Sequence, residues 1–130
     1  LADGSYTKRD MSLPMYLRVA IQLCQGLTVH HTIEERRFFP ILAKRMEAFR
    51  DDEVHLKSHQ AIHHAGVEAL RKLVRKWQDE PSTYDPKAMR DCLDSWREVL
   101  FNHLDQEVKD LSGENMKKYW TLEELEQLQV

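Results

Sequence analysis

LPMYLRVAIQLCQGLTVHHTIEERRFFPILAKRM, residues 13–46, carries apolar side chains at three- and four-residue spacing along its whole length, the period of a helix that buries one face. Ser12 precedes it as an N-cap, and Pro14 falls in the first turn, where a missing N–H does no harm. Gly26 is interior and weakens the helix slightly. Pro40 removes a ladder hydrogen bond and clashes with the preceding turn, so the helix should kink or be interrupted there and end between Pro40 and Phe49.

The same period recurs twice downstream. A second helix is expected from Asp52, its N-cap, to Gln78, with Leu56, His59, His63, Val67, Leu70, Val74 and Trp77 on its seam and the Asp79-Glu80-Pro81-Ser82 turn as its stop. A third should begin at Asp85 with Pro86 in first position and reach Leu111, where Ser112-Gly113 closes it; its seam reads Met89, Leu93, Trp96, Leu100, His103, Glu107, Leu111. Thr121 and Glu124 form a capping box ahead of Leu125 and Leu128, which predicts a short fourth helix. No segment alternates with the period of a strand, and no internal repeat is present. The fold class is all-α, an antiparallel up-and-down bundle.

At 130 residues the chain is one domain's worth, against the usual roughly 100–200 residues per domain. We expect a single domain with its core at 13–111, an N-terminal tether at 1–12 and a C-terminal extension at 112–130. The chain starts at Leu1, ahead of its first methionine, Met11, which points to an upstream segment. Residues 1–10 have no apolar run of signal-peptide length.

Nineteen Lys and Arg against 22 Asp and Glu give a net charge of −3 with no basic block, which argues against nucleic acid as a partner. Apolar runs such as Val99-Leu100-Phe101 are far shorter than a spanning helix requires, which argues against a membrane. Cys24 and Cys92 lack Cys-x-x-Cys spacing and read as reduced thiols, so a cytoplasmic, reducing location is expected.

All seven histidines fall in the three long helices, several on apolar seams. His30 and Glu34 are four apart, as are His31 and Glu35, His59 and His63, and His103 and Glu107, so each pair shares a helix face. With 22 acids in 130 residues, an acid follows a given histidine at that spacing about one time in six by chance. One such pair proves nothing, but a pair on each of three seams is a different matter. Leu23, Leu27, His30 and Glu34 should point together into the core, as should Leu100, His103 and Glu107. Unpartnered, such groups would cost several kcal/mol each in a bundle interior, so they must pair or hold a cation. Four histidines and two carboxylates exceed a four-ligand structural zinc site, and mixed imidazole and carboxylate donors suit iron or manganese over calcium or magnesium. Two ions bridged by Glu34 and Glu107 are the economical fit, with an all-structural polar core as the alternative.

At HHTIEERRFFPIL (30–42), HQAIHHAG (59–66) and HLDQE (103–107) the sequence resembles the hemerythrin-like, or HHE cation-binding, family. The resemblance spans residues 15–111. It implies a four-helix bundle whose second, third and fourth helices carry His-x-x-x-Glu, His-x-x-x-His and His-x-x-x-Glu. On that basis the metal ligands are His30, Glu34, His59, His63, His103 and Glu107. The family's first helix, with one further histidine, has no counterpart before Leu13. His31 is a candidate stand-in for that ligand, or a histidine packed beside the site. Glu35 reads as a supporting or surface residue, and His55 and His64 as helix-face residues that hydrogen-bond the ligands.

The cofactor implied is a pair of iron ions (Fe2+/Fe3+), with manganese or zinc as alternatives. Three functions remain open. The first is a non-haem di-iron protein that binds or senses dioxygen or iron. The second is a di-iron oxidase or peroxide-consuming enzyme at the same centre, and the third is an interaction module with a structural metal. The expected partner is dioxygen or another small ligand at the metal, and a homodimer would follow from an absent first helix, because Leu17, Ile21, Cys24, Leu93, Leu100 and Leu104 are more apolar surface than three helices cover. No Ser-His-Asp spacing, phosphate-binding glycine loop or nucleophilic cysteine context supports a hydrolase or a nucleotide enzyme.

Overall fold

The computed structural model describes residues 1–50 and 54–127. Helix α1 runs Leu13–Ile33, its N-terminus capped by Ser12 Oγ, which accepts from the Met15 N–H at 3.3 Å. Pro40 does not break it. The chain passes instead through a π-helical turn, Glu34–Phe38, into α2, Phe39–Leu42. The Phe39 N–H reaches back to Glu34 O, and the wide turn delivers Pro40 into the first turn of α2, where no N–H is needed. The helix ends at Leu42, inside the expected interval, and a 3-10 turn follows at Glu47–Phe49.

The second rod comprises α3 (Val54–Ala61), a π-helical turn (Ile62–Val67) and α4 (Glu68–Asp79). Its expected cap, Asp52, lies outside the described residues. The π turn contains Gly66, and a Cβ there would lie 2.4 Å from Trp96 Cδ2, so the indole packs where any other residue would place a side chain. The third rod is α5, Pro86–Asp110, capped by Asp85 Oδ1, which accepts from the Lys87 N–H at 3.0 Å. Ser112 both ends that run and caps a further short helix, α6 (Gly113–Met116). The capping box forms as expected, Thr121 N–H to Glu124 Oε1 at 3.1 Å and Glu124 N–H to Thr121 Oγ1 at 3.2 Å, and starts α7 (Leu122–Gln127). Leu128 lies outside the described residues. Among the described residues there is no strand and no helix long and apolar enough to cross a membrane.

The rods pack antiparallel in sequence, α1 against α4 and α5 against the whole second rod. Two apolar clusters result. One is built from Leu17, Cys24, Ile62, Leu70, Val74, Trp77, Met89 and Trp96, the other from Phe39, Leu42, Met46, Phe49 and Trp120. Along every rod the residues between the clusters are the buried polar ones: His31 and Glu34, then His55 and His59, then His103 and Glu107. A polar layer therefore separates two hydrophobic ends.

The first twelve residues touch the bundle. A 3-10 turn, Thr7–Arg9, brings the Tyr6 ring to 4.7 Å from that of Tyr16. Of the apolar surplus expected on the first and third helices, Leu17 and Cys24 are buried, Ile21, Leu93 and Leu100 half-buried and Leu104 exposed. Leu23, Leu93, Leu100 and Phe101 line an open groove between α1 and α5. Both cysteines are free thiols, and burial pushes the Cys24 thiol up from its ordinary pKa.

Candidate metal centre

The seam that α1 buries shares Glu34 and the half-buried Leu27 with the expected one, but not Leu23 or His30. Leu17, Cys24, His31 and Glu34 face the second rod, whereas Leu23 and His30 are exposed. Apolar residues recur on two adjacent stripes of α1, and periodicity alone does not say which one the neighbouring helix covers. This brings His31, 3% exposed, into the polar layer and leaves His30 at its rim.

Three rods contribute to the layer. His59 Nε2 stands 3.0 Å from His103 Nε2 and 3.1 Å from Glu34 Oε2. His103 Nε2 is 3.4 Å from Glu107 Oε1 on the next turn of α5. One donor atom from each of Glu34, His59, His103 and Glu107 lies within 4.8 Å of all the others, and all four residues are buried. A second set, His31, His59 and His103, meets the same criterion. The His31 ring stacks on His59, centroids 3.7 Å apart and planes 13° from parallel, and its Nδ1 is 3.0 Å from His63 Nε2. His63 is thus linked to the layer through His31 and is itself half-buried. His30 Nε2 lies 2.6 Å from Glu34 Oε1, so the two oxygens of Glu34 face different imidazoles, Oε1 toward His30 and Oε2 toward His59.

Both π-helical turns fall at these residues: Glu34 and Glu35 lie in the first and His63 in the second. A π turn adds a residue to the local repeat and turns later side chains to a new direction, which is why such turns recur at functional sites.

The electrostatics favour a cation. Glu34 Oε2, Glu107 Oε1 and His103 Nδ1 are buried without a hydrogen bond, and a carboxylate oxygen left so costs several kcal/mol unless something positive meets it. Burial pushes the Glu34 carboxyl up, but His59, Glu107 and the His30 imidazole outweigh it and hold the group below its ordinary pKa. Burial, with His59, His63 and His103 close by, pulls His31 down to about 3 from 6.5, so it is a neutral donor at physiological pH. Burial lowers His63 as well, with His59 adding to it. Two nitrogens bound at a right angle to one ion, each about 2.1 Å away, stand about 3.0 Å apart, the separation of the His59 and His103 Nε2 atoms. The donor set fits a metal.

Around this set Glu35 supports a member of the set, His55 and His64 contact other acids, and Asp110 is a residue the sequence does not mark. Glu35 Oε1 accepts at 3.0 Å from His59 Nδ1, which leaves Nε2 free to face the cluster. His55 is fully buried, and its Nε2 donates to Asp110 Oδ2 at 2.7 Å. His64, by contrast, is exposed and 3.9 Å from Glu68. Asp110 had one legible signal: it lies three residues beyond Glu107, as His55 lies four before His59, so both occupy the next turn on the ligand-bearing faces.

The hemerythrin HHE cation binding domain matches residues 14–113. A similar curated protein, Dimeric xanthone biosynthesis cluster protein R11 of Cryptosporiopsis sp. (strain 8999), is 30% identical over 101 residues, which are 73% of this chain and 37% of that protein. The chain therefore matches little more than a third of that relative's length. No solved structure matches it.

Proposed function

The chain belongs to the hemerythrin HHE cation binding domain family, and from that premise we propose that it is a non-haem di-iron protein that binds or senses dioxygen or iron. The observation that carries this reading is the buried set Glu34, His59, His103 and Glu107, whose carboxylate oxygens Glu34 Oε2 and Glu107 Oε1 make no hydrogen bond and face only the imidazole nitrogens of His59 and His103, at 3.1 and 3.4 Å. Glu34 is suited to serve two ions, since its oxygens face His30 on one side and His59 on the other. Glu107 would share that role; His59, His63 and His103 would hold one ion and His30 the other, with His31 beside them as a further neutral donor. Mixed imidazole and carboxylate donors suit iron or manganese, with zinc as a competitor.

Bound iron would supply an open coordination position and a change of oxidation state. The protein's part is to fix and shield that position. Glu35 holds the His59 ring in one tautomer, the stack of His31 on His59 fixes its plane, and the apolar clusters on either side keep bulk water from the layer.

The test is a visible spectrum of the iron-loaded protein, reduced without oxygen, then exposed to air, then purged. An absorption band that appears in air and disappears on purging supports an oxygen binder. No spectral change would remove the dioxygen reading.

A second reading, an oxidase or peroxide-consuming enzyme at the same centre, is supported by an apolar chamber bounded by Glu34 and Glu107. Its signature is turnover: peroxide consumed, or product formed from an organic substrate, beyond one equivalent of protein.

A further inference from the structure

The C-terminal segment that carries α6 and α7 lies almost wholly beyond residues 14–113, the span that matches the family. It does not trail into solvent. Arg45, just after α2, holds it by three contacts: Nη2 is 2.5 Å from Glu124 Oε2, Nη1 donates to Tyr119 O at 2.9 Å, and the guanidinium lies 4.4 Å from the centroid of the Trp120 ring. Trp120 is buried against Phe39, Leu42, Met46 and Phe49.

The segment closed down in this way forms one wall of a chamber of about 170 Å³. Phe38, Ile41 and Leu42 line one side, Leu111, Met116 and Leu125 the other. The remaining boundary is made by Glu34 and Glu107, the two carboxylates of the polar layer. Protein interiors are packed close enough that voids larger than a water molecule are few. An enclosed void of about 150 Å³ lined only by apolar side chains takes up benzene; this chamber is of similar size, with seven apolar residues and two carboxylates in its lining.

We propose that this chamber is a binding site for one small, uncharged, apolar molecule of single-ring size, seated against Glu34 and Glu107, and that residues 112–127 are the wall that sets its size. The proposal rests on the reading of the polar layer as a metal centre, because that is what would give such a ligand a chemical consequence. In the metal-free chain two carboxylates in an apolar setting disfavour an anion, and the Arg45 clamp limits the size of the ligand. Reach to the carboxylates without passing the imidazoles makes this an entrance to the centre from its Glu34–Glu107 edge.

Toluene is the probe, titrated into the full chain in metal-loaded and metal-stripped form and followed by calorimetry and methyl NMR. One toluene per chain is expected, shifting the Met116 methyl but not that of Met15, which is exposed near the start of α1. Leu125→Trp and Ile41→Trp fill the chamber from opposite walls. Each folded variant should lose at least tenfold in toluene affinity at unchanged metal content, and benzoate should bind the metal-stripped chain at least tenfold more weakly than toluene. Absence of toluene binding to the wild type, equal shifts at both methionines, unchanged affinity in a folded Trp variant or equal binding of benzoate to the stripped chain would each overturn the proposal. Metal content is measured separately: a chain that loads iron but ignores toluene refutes the chamber alone, and one that binds toluene but holds no metal refutes the centre alone.

Discussion

His55 Nε2 and Asp110 Oδ2 meet at 2.7 Å, tying the first turn of α3 to the last turn of α5. Both residues lie one helical turn from a member of the metal set, His59 on one side and Glu107 on the other, so the pair fixes how the two rods sit across the centre. The pair is well housed. Gln106 Nε2 donates to Asp110 Oδ1 at 3.2 Å, and the His55 ring stacks on Phe49 with centroids 4.3 Å apart.

Removing one partner of this partly buried hydrogen bond strands the other, a loss of about 1–3 kcal/mol. His55→Ala should therefore unfold at lower denaturant than the wild type, with metal stoichiometry retained, while Asp110→Asn, which keeps an acceptor, should lose less. Equilibrium denaturation decides it, and a His55→Ala midpoint equal to that of the wild type would contradict the role.

For the centre itself, His59→Ala and His103→Ala should lose most bound metal and melt earlier, since metal-binding free energy is also folding free energy. His64→Ala, on the exposed face, should do neither. Glu35→Gln should weaken metal binding by about 10–100-fold, the usual effect of disturbing a group that orients a ligand imidazole. Elemental analysis of the four proteins checks this, and equal metal in all of them would remove the assignment.

The metal-free protein should be acid-labile. His31 is held down to about 3 in the fold against 6.5 ordinarily, so between those values the unfolded chain carries a proton that the folded chain does not. Stability from this group is complete above pH 6.5 and is lost as pH falls toward 3; His63 and Glu34, both lowered, act in the same direction. Thermal melts of the stripped protein should drop steadily from pH 6.5 to pH 4, and a flat profile would contradict the burial of a neutral His31.

Gly66→Ala should destabilise the bundle by about 1–3 kcal/mol, because the added Cβ would lie 2.4 Å from Trp96 Cδ2 and the indole must move. Gly26→Ala meets nothing within 4 Å and should be neutral or stabilising. Paired thermal melts test the contrast. The idea fails if the two variants melt alike.

Much of this architecture is legible in the sequence because helical periodicity and caps are local. Ser12, Asp85 and the Thr121–Glu124 box all cap helices where the residues alone place them. The polar layer is legible too, since His59, His103, Glu34 and Glu107 stand on faces that should be apolar. Three features are not. Which stripe of α1 turns inward depends on the α4 surface packed against it, so periodicity expects Leu23 and His30 inside while His31 takes that position. The π turns lie beside Phe39-Pro40 and at the contact of Gly66 with Trp96; Pro40 marks an irregularity in the first rod, but no local signal gives its π form or marks the second turn. The His55–Asp110 pair spans 55 residues and is beyond any motif.

The central claim, that Glu34, His59, His103 and Glu107 hold metal, is tested most directly by elemental analysis of the chain purified without added metal, beside the double variant Glu34→Gln, Glu107→Gln. The account predicts about two iron ions per chain in the wild type, as two carboxylates bridging a pair of ions imply, and little or none in a folded variant. Iron absent from the wild type even after loading, or retained in full by the variant, would contradict it.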